Sequence, residues 1–189
     1  MNERALMTEQ QASTLGVYLS DGLRWHCHTR ATLSRPGETT PFLTVEQDGN
    51  ALLLGGASML WEGLKGGGTT STGSAKKFFN ATAALGLGNS SAAVVNTQIN
   101  LQGASKKYKV MSAGFPTHTT SSTASTASKF VAKSTYTTTE ANFSWKEWGL
   151  FNKVTTGATQ RMLNRKASSG LLTKTSAATA SLTVTLSLA

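Results

Sequence analysis

Cysteine is almost missing from this chain: Cys27 is the only one in 189 residues. No internal disulfide can form, so burial alone must hold the fold, which fits a reducing cytoplasm. Charge is also scarce, at 14% of residues. The shortage argues against a freely solvated disordered chain. Long apolar runs are lacking too. The longest, Ala51–Trp61, is broken by Gly55 and Gly56 and is too short to span a bilayer. No run of signal-peptide length accompanies Arg4. The expectation is a soluble protein with no membrane partner.

The chemistry of enzymes is sparse as well. The carboxylates of the body are Glu38, Glu46, Asp48, Glu62, Glu140 and Glu147, with no close pair of the glycosidase kind. Serines abound, but none sits in a Gly-x-Ser-x-Gly elbow. Gly86-Leu-Gly88 lacks the third glycine and the Lys-Ser/Thr of a phosphate loop, so it reads as a tight turn. His26 and His28 share one side of a strand and offer two metal ligands, whereas a structural zinc normally takes four. His118 lies in a low-complexity stretch, and Cys27 reads as a small strand residue. The chain is expected to be no enzyme and to carry no metal or cofactor.

What is present favours β structure. Hydrophobic residues, Ala among them, make 39%, and Thr, Ser and Gly fill much of the rest. A chain of this length buries roughly 70% of its unfolded surface without staples. The net charge of +9 points to an anionic partner. Its basic pairs, Lys76-Lys77, Lys106-Lys107 and Arg165-Lys166, are scattered. The dense basic face of a nucleic-acid binder is not there, and nucleic acid is not an expected partner.

The clearest pattern closes the chain. Leu182, Val184, Leu186 and Leu188 alternate with Ser181, Thr183, Thr185 and Ser187, as in a half-buried antiparallel strand. Trp25, Cys27 and Thr29 alternate likewise against Arg24, His26, His28 and Arg30, after an Asp21-Gly22 hairpin signal. Ser34-Arg-Pro-Gly37 is a turn, and Phe42–Val45 a third strand. Leu52–Leu64 reads as a helix with Leu53, Ala57, Leu60, Trp61 and Leu64 on one face and Asn50 as N-cap. Gly55-Gly56 would let it sit close to a sheet. Lys77–Leu87, Tyr108–Met111, Lys129–Thr137 and Asn142–Trp148 are further strands, and Asn96–Leu101 one helical turn. Regular alternation puts Glu147 on the Phe143/Trp145 face, where it needs a donor. It also sends Trp145 and Trp148 to opposite faces. Core remains the simplest reading of both, with an interfacial role open for one. Trp61 is read as core.

One family resemblance is carried by Glu147-Trp-Gly-Leu-Phe-Asn152, Met162-Leu-Asn-Arg-Lys166, Thr173-Lys-Thr175 and the hydroxyl-rich last strand. Leu85-Gly-Leu-Gly-Asn-Ser90, Asn100-Leu-Gln-Gly103 and Met111-Ser-Ala-Gly-Phe-Pro116 precede them in order. From about Asn50 onward the chain resembles structural proteins of tailed bacteriophages. The resemblance implies a virion component, assembled in the host cytoplasm, without catalysis.

The fold class expected is mainly β: an antiparallel β-sandwich with one short amphipathic helix and an extended N-terminal arm. Residues 1–14 would be the arm, 15–75 the N-terminal strands, helix (about 50–64) and Gly-rich linker, and 76–189 the sandwich. The function expected is a capsid decoration or cement protein, a homotrimer bound to the major capsid protein. The alternatives are a neck, tail or fibre component, and a host-surface or carbohydrate-binding module. Lys106, Lys107 and Lys109 are the expected contacts to an acidic shell, and Trp148 the contact of the carbohydrate alternative.

Overall fold

A computed structural model describes residues 25–64, 78, 82–118, 129–157 and 160–188. The elements in order are β1 (Trp25–Ser34), β2 (Leu43–Asp48), β3 (Ala51–Leu52), α1 (Leu54–Leu64), β4 (Ala84–Gly88) and β5 (Lys106–Val110). Then follow β6 (Thr117–His118), β7 (Lys129–Tyr136), β8 (Ser144–Phe151), β9 (Met162–Thr173) and β10 (Thr179–Leu188). They form two five-stranded sheets, ordered β2-β1-β10-β7-β6 and β3-β9-β8-β4-β5. All pairs are antiparallel. The mainly-β sandwich expected from sequence is the fold.

The closing alternation does what its period requires. Ala180, Leu182, Val184 and Leu186 are buried and the intervening Ser and Thr lie toward solvent, but Leu188, expected on the buried face, is 46% exposed at the strand's end. β10 is central in its sheet, paired with β1 from Trp25↔Leu188 to Ser34↔Thr179 and with β7 on its other side. In β1, Cys27, Thr29, Ala31 and Leu33 point inward while His26, His28 and Arg30 point out. One core cluster joins these residues to Leu85, Leu87, Trp145, Trp148 and Leu150 of the facing sheet. The Tyr136 hydroxyl donates to Leu85 O at 2.9 Å across the sandwich, and its ring meets Trp145 edge-on.

Pairing of β1 with β10 also corrects the domain boundary. Residues 25–52 are not a unit beside a sandwich beginning at 76; β1 and β2 are two of the five strands of the first sheet. The arm over 1–14, the Asp21-Gly22 hairpin, the linker 66–74 and the Thr/Ser stretch 119–128 lie outside the described residues. The turn after β1 forms as expected: Glu38 N donates to Arg35 O at 3.0 Å over Pro36 and Gly37, and Gly37 takes φ +83°.

The helix is where expected, but on a different face. Leu53, Gly56 and Met59 are buried, whereas Leu60 and Trp61 are exposed, Trp61 to 65%. The reason is the approach of α1 to β9. A Cβ on Gly56 would collide with the backbone of Leu163. The glycine therefore sets which side touches the sheet, ahead of the larger side chains. Leu52 belongs to β3 instead of the helix. Asn50 is not the cap: its Oδ1 accepts from Trp25 Nε1 at 3.0 Å, and Leu54 N donates to Asn96 O.

Candidate functional site

The second sheet is covered on both faces. Its outer side carries Leu53, Ala84, Leu101, Phe151 and Met162, with Tyr108 stacked edge-on against Phe151. Part of that cover is the connection from β4 to β5, residues 89–105, which crosses the sheet without forming a regular element. Unstructured connections longer than about 12–15 residues are uncommon in a compact domain, and those that are ordered usually serve function. The helical turn expected at Asn96–Leu101 is a simple turn, closed by Gln98 N to Val95 O at 3.0 Å.

One buried ion pair holds this loop. Arg165 Nη2 lies 2.7 Å and Nε 2.8 Å from Glu147 Oε2, and both side chains are fully buried. Glu147 also accepts from the amides of Gln102 and Gly103. Arg165 Nη1 donates to Ala92 O, to Ala93 O and to Gln98 Oε1 at 2.9 Å. The carboxylate therefore grips one limb of the loop and the guanidinium the other. Gly88 and Gly103 leave the room: a Cβ on Gly88 would collide with the Glu147 carboxylate, and one on Gly103 would fall 2.9 Å from Glu147 Oε1. Asn89 and Ser105 close the base, by Asn89 N to Ser105 O and Ser105 N to Asn89 Oδ1.

Glu147 reaches this face because β8 is irregular. The β8–β9 register shifts between Trp145 and Glu147, from a Leu172 partner to an Ala167 partner. The shift breaks the alternation assumed from sequence. Trp145 and Trp148 both enter the core between the sheets, and Glu147 leaves the Trp145 face for the outer one. A register shift has no signature in the residues of one strand alone. The donor that Glu147 needs was foreseeable; Arg165 as that donor was not.

The clamped loop presents apolar side chains that are exposed among the described residues. Ile99 is 75% exposed and Val95 52%. Leu54, 58% exposed, adjoins them through its amide bond to Asn96 O. Trp61 lies two helical turns further along the same face of α1. Beside the helix, Leu60 lines an apolar cleft of about 260 Å³ with Trp25, Phe78, Phe130, Leu186 and Leu188.

The cationic candidates are already engaged within the chain. Lys107 and Lys109 pair with Glu140 at 3.2 and 2.8 Å. Burial opposes ionisation of Glu140, but hydrogen bonds from Lys109, the Thr137 amide and Lys107 outweigh it and hold the carboxyl at about 2. Lys106 is exposed, and its ammonium turns back to Leu101 O at 3.3 Å. Trp148, 1% exposed, lies in the core and presents no surface to a sugar or a shell. Lys174 is a buried cation that sequence reasoning missed. Its Nζ donates to Asn142 Oδ1 at 2.6 Å and to Thr175 O at 3.2 Å, tying two loops together. Burial lowers its pKa, against the pull of Glu140.

His26 and His28 share the outer face of β1 as expected, and His28 pairs with Asp48 at 2.9 Å. Cys27 points the other way, into the core, where burial pushes its thiol up to about 11. Among the described residues no three His, Cys, Asp or Glu side chains gather to hold a metal. No helix among them is long and apolar enough to cross a membrane. No protein-family model, curated protein or solved structure matches the chain.

Proposed function

We propose that this chain is a non-catalytic structural protein of a tailed-phage virion, a decoration or cement protein that binds copies of itself and the major capsid protein. The single observation that carries a binding role is the clamped loop. A buried ion pair adds little net stability, because desolvation offsets its attraction. What Glu147 and Arg165 secure is the shape of a loop that ends in exposed Val95 and Ile99. A contact surface fixed before binding loses less entropy when a partner arrives.

The virion assignment rests on the sequence resemblance. Four of the segments that carry it, Leu85–Ser90, Asn100–Gly103, Glu147–Asn152 and Met162–Lys166, supply Gly88, Gly103, Glu147 and Arg165 to this one clamp. Their convergence supports treating them as parts of one device. A shell protein of this kind would add several interfaces of standard size across capsomer boundaries.

Copy number in purified particles, relative to the major capsid protein, tests the proposal. A ratio near unity is the expected result. A count on the order of a dozen would replace the shell with the neck or tail. Absence from the particle would end the virion reading.

A further inference from the structure

We infer that a groove across the outer face of the first sheet is a binding site for an acidic sugar chain, one whose rings carry carboxylates. The inference does not depend on the virion assignment. Its ground is the way β1, β10 and β7 lie side by side. Their register puts Arg30, Thr183 and Lys133 in one row across the three strands. The next row is Thr32, Ser181 and Thr135. Two cations therefore flank a threonine, their backbones two strand spacings or about 10 Å apart, and a row of hydroxyls lies beside them. These residues line a groove of about 340 Å³. That volume falls within the range of small-molecule sites, roughly 300–1,000 Å³.

The charges bordering the groove decide what it takes and where. Arg30 turns its Nε to Glu46 at 3.4 Å, and Glu38, beyond the end of β1, is answered by Arg35 at 3.5 Å. Both pairs are exposed and therefore weak. Lys133 meets no carboxylate among the described residues; its ammonium lies 5.9 Å over the Phe115 ring. One positive charge is left over, and an anion supplies its counter-charge. Glu38 repels an anion at its own end, so the carboxylate belongs at the row of Arg30 and Lys133. The rest of the ligand then lies over hydroxyls. Each Thr or Ser there both donates and accepts, as a sugar hydroxyl does, and Thr32 and Ser181 already bond each other at 2.8 Å. A plain polyanion leaves these hydroxyls unused, and a neutral sugar leaves Lys133 unused.

Calorimetric titration of the full chain with polygalacturonate tests the inference. Dextran is the control with hydroxyls and no charge, and polyglutamate the control with carboxylates and no sugar. Polygalacturonate is expected to bind about tenfold or more tighter than either. Arg30→Ala and Lys133→Ala should each weaken that binding about fivefold or more. Thr183→Val, which keeps the shape and removes only the hydroxyl, should weaken it about twofold or more. Lys106→Ala, on β5 of the other sheet, should leave it unchanged. All four side chains reach solvent, and thermal melting of each variant reports an intact fold. A full chain that does not bind polygalacturonate overturns the inference. So does equal binding of polyglutamate or of dextran, an affinity that survives Lys133→Ala and Thr183→Val, or one that Lys106→Ala lowers as much as Lys133→Ala.

Discussion

At the scale of single residues, Glu140 shows how the chain uses its few carboxylates. Its folded pKa of about 2 lies below the ordinary 4.5, so its contribution to stability is complete above pH 4.5. That contribution is lost as pH falls from about 4.5 toward 2. Glu140→Gln is therefore expected to flatten the acid limb of stability across that window, measured by urea unfolding at a series of pH values. An acid limb identical to the parent's would contradict the role given to Lys107 and Lys109. The engagement of these lysines was invisible in sequence. Lys109 and Glu140 are 31 positions apart, and only the folding of β5 against the turn after β7 brings them together. Lys174 escaped for a similar reason, since its acceptors are two backbone carbonyls and one amide.

At the scale of elements, alternation was legible wherever strands are regular. In β10 Leu182 is fully buried, so Leu182→Ala should cost about 2–5 kcal/mol, while Thr183→Val on the outer face should change stability by about 0.5 kcal/mol or less. Chemical denaturation of both variants measures the contrast, and equal losses would refute the assigned faces. Legibility failed where an element departs from its period. Gly86 was read as a turn but sits inside β4, where it is a glycine because Phe151, Leu101 and Tyr108 crowd the place a Cβ would take. In α1 the helical stripe named Leu60 and Trp61 as core, whereas backbone contact at Gly56 turned them outward. Gly56→Ala would force α1 off β9 and should cost about 1–3 kcal/mol, read as a lowered denaturation midpoint. An unchanged midpoint would mean that α1 is not seated on Leu163.

At the scale of the whole molecule, sequence disclosed the sandwich but not its division of labour. Part of the cover on the outer face of the second sheet comes from a loop with little apolar periodicity, and that loop is anchored by residues 147 and 165, far along the chain. The clamp itself should be costly to break from one side. Glu147→Gln leaves Arg165 buried without its counter-charge and should lose about 3–5 kcal/mol. Joint replacement of Glu147 by Leu and Arg165 by Met should lose less than the two single changes summed.

The central claim is that residues 89–105 are held in one shape before any partner binds. Native-state hydrogen exchange at the Gln102 and Gly103 amides, which donate to Glu147, tests it most directly. Slow exchange at both amides is expected in the free protein, on the scale of core strands, and fast exchange in Glu147→Gln. Rapid exchange in the unmodified chain would contradict it, because the loop would then take its shape only on binding.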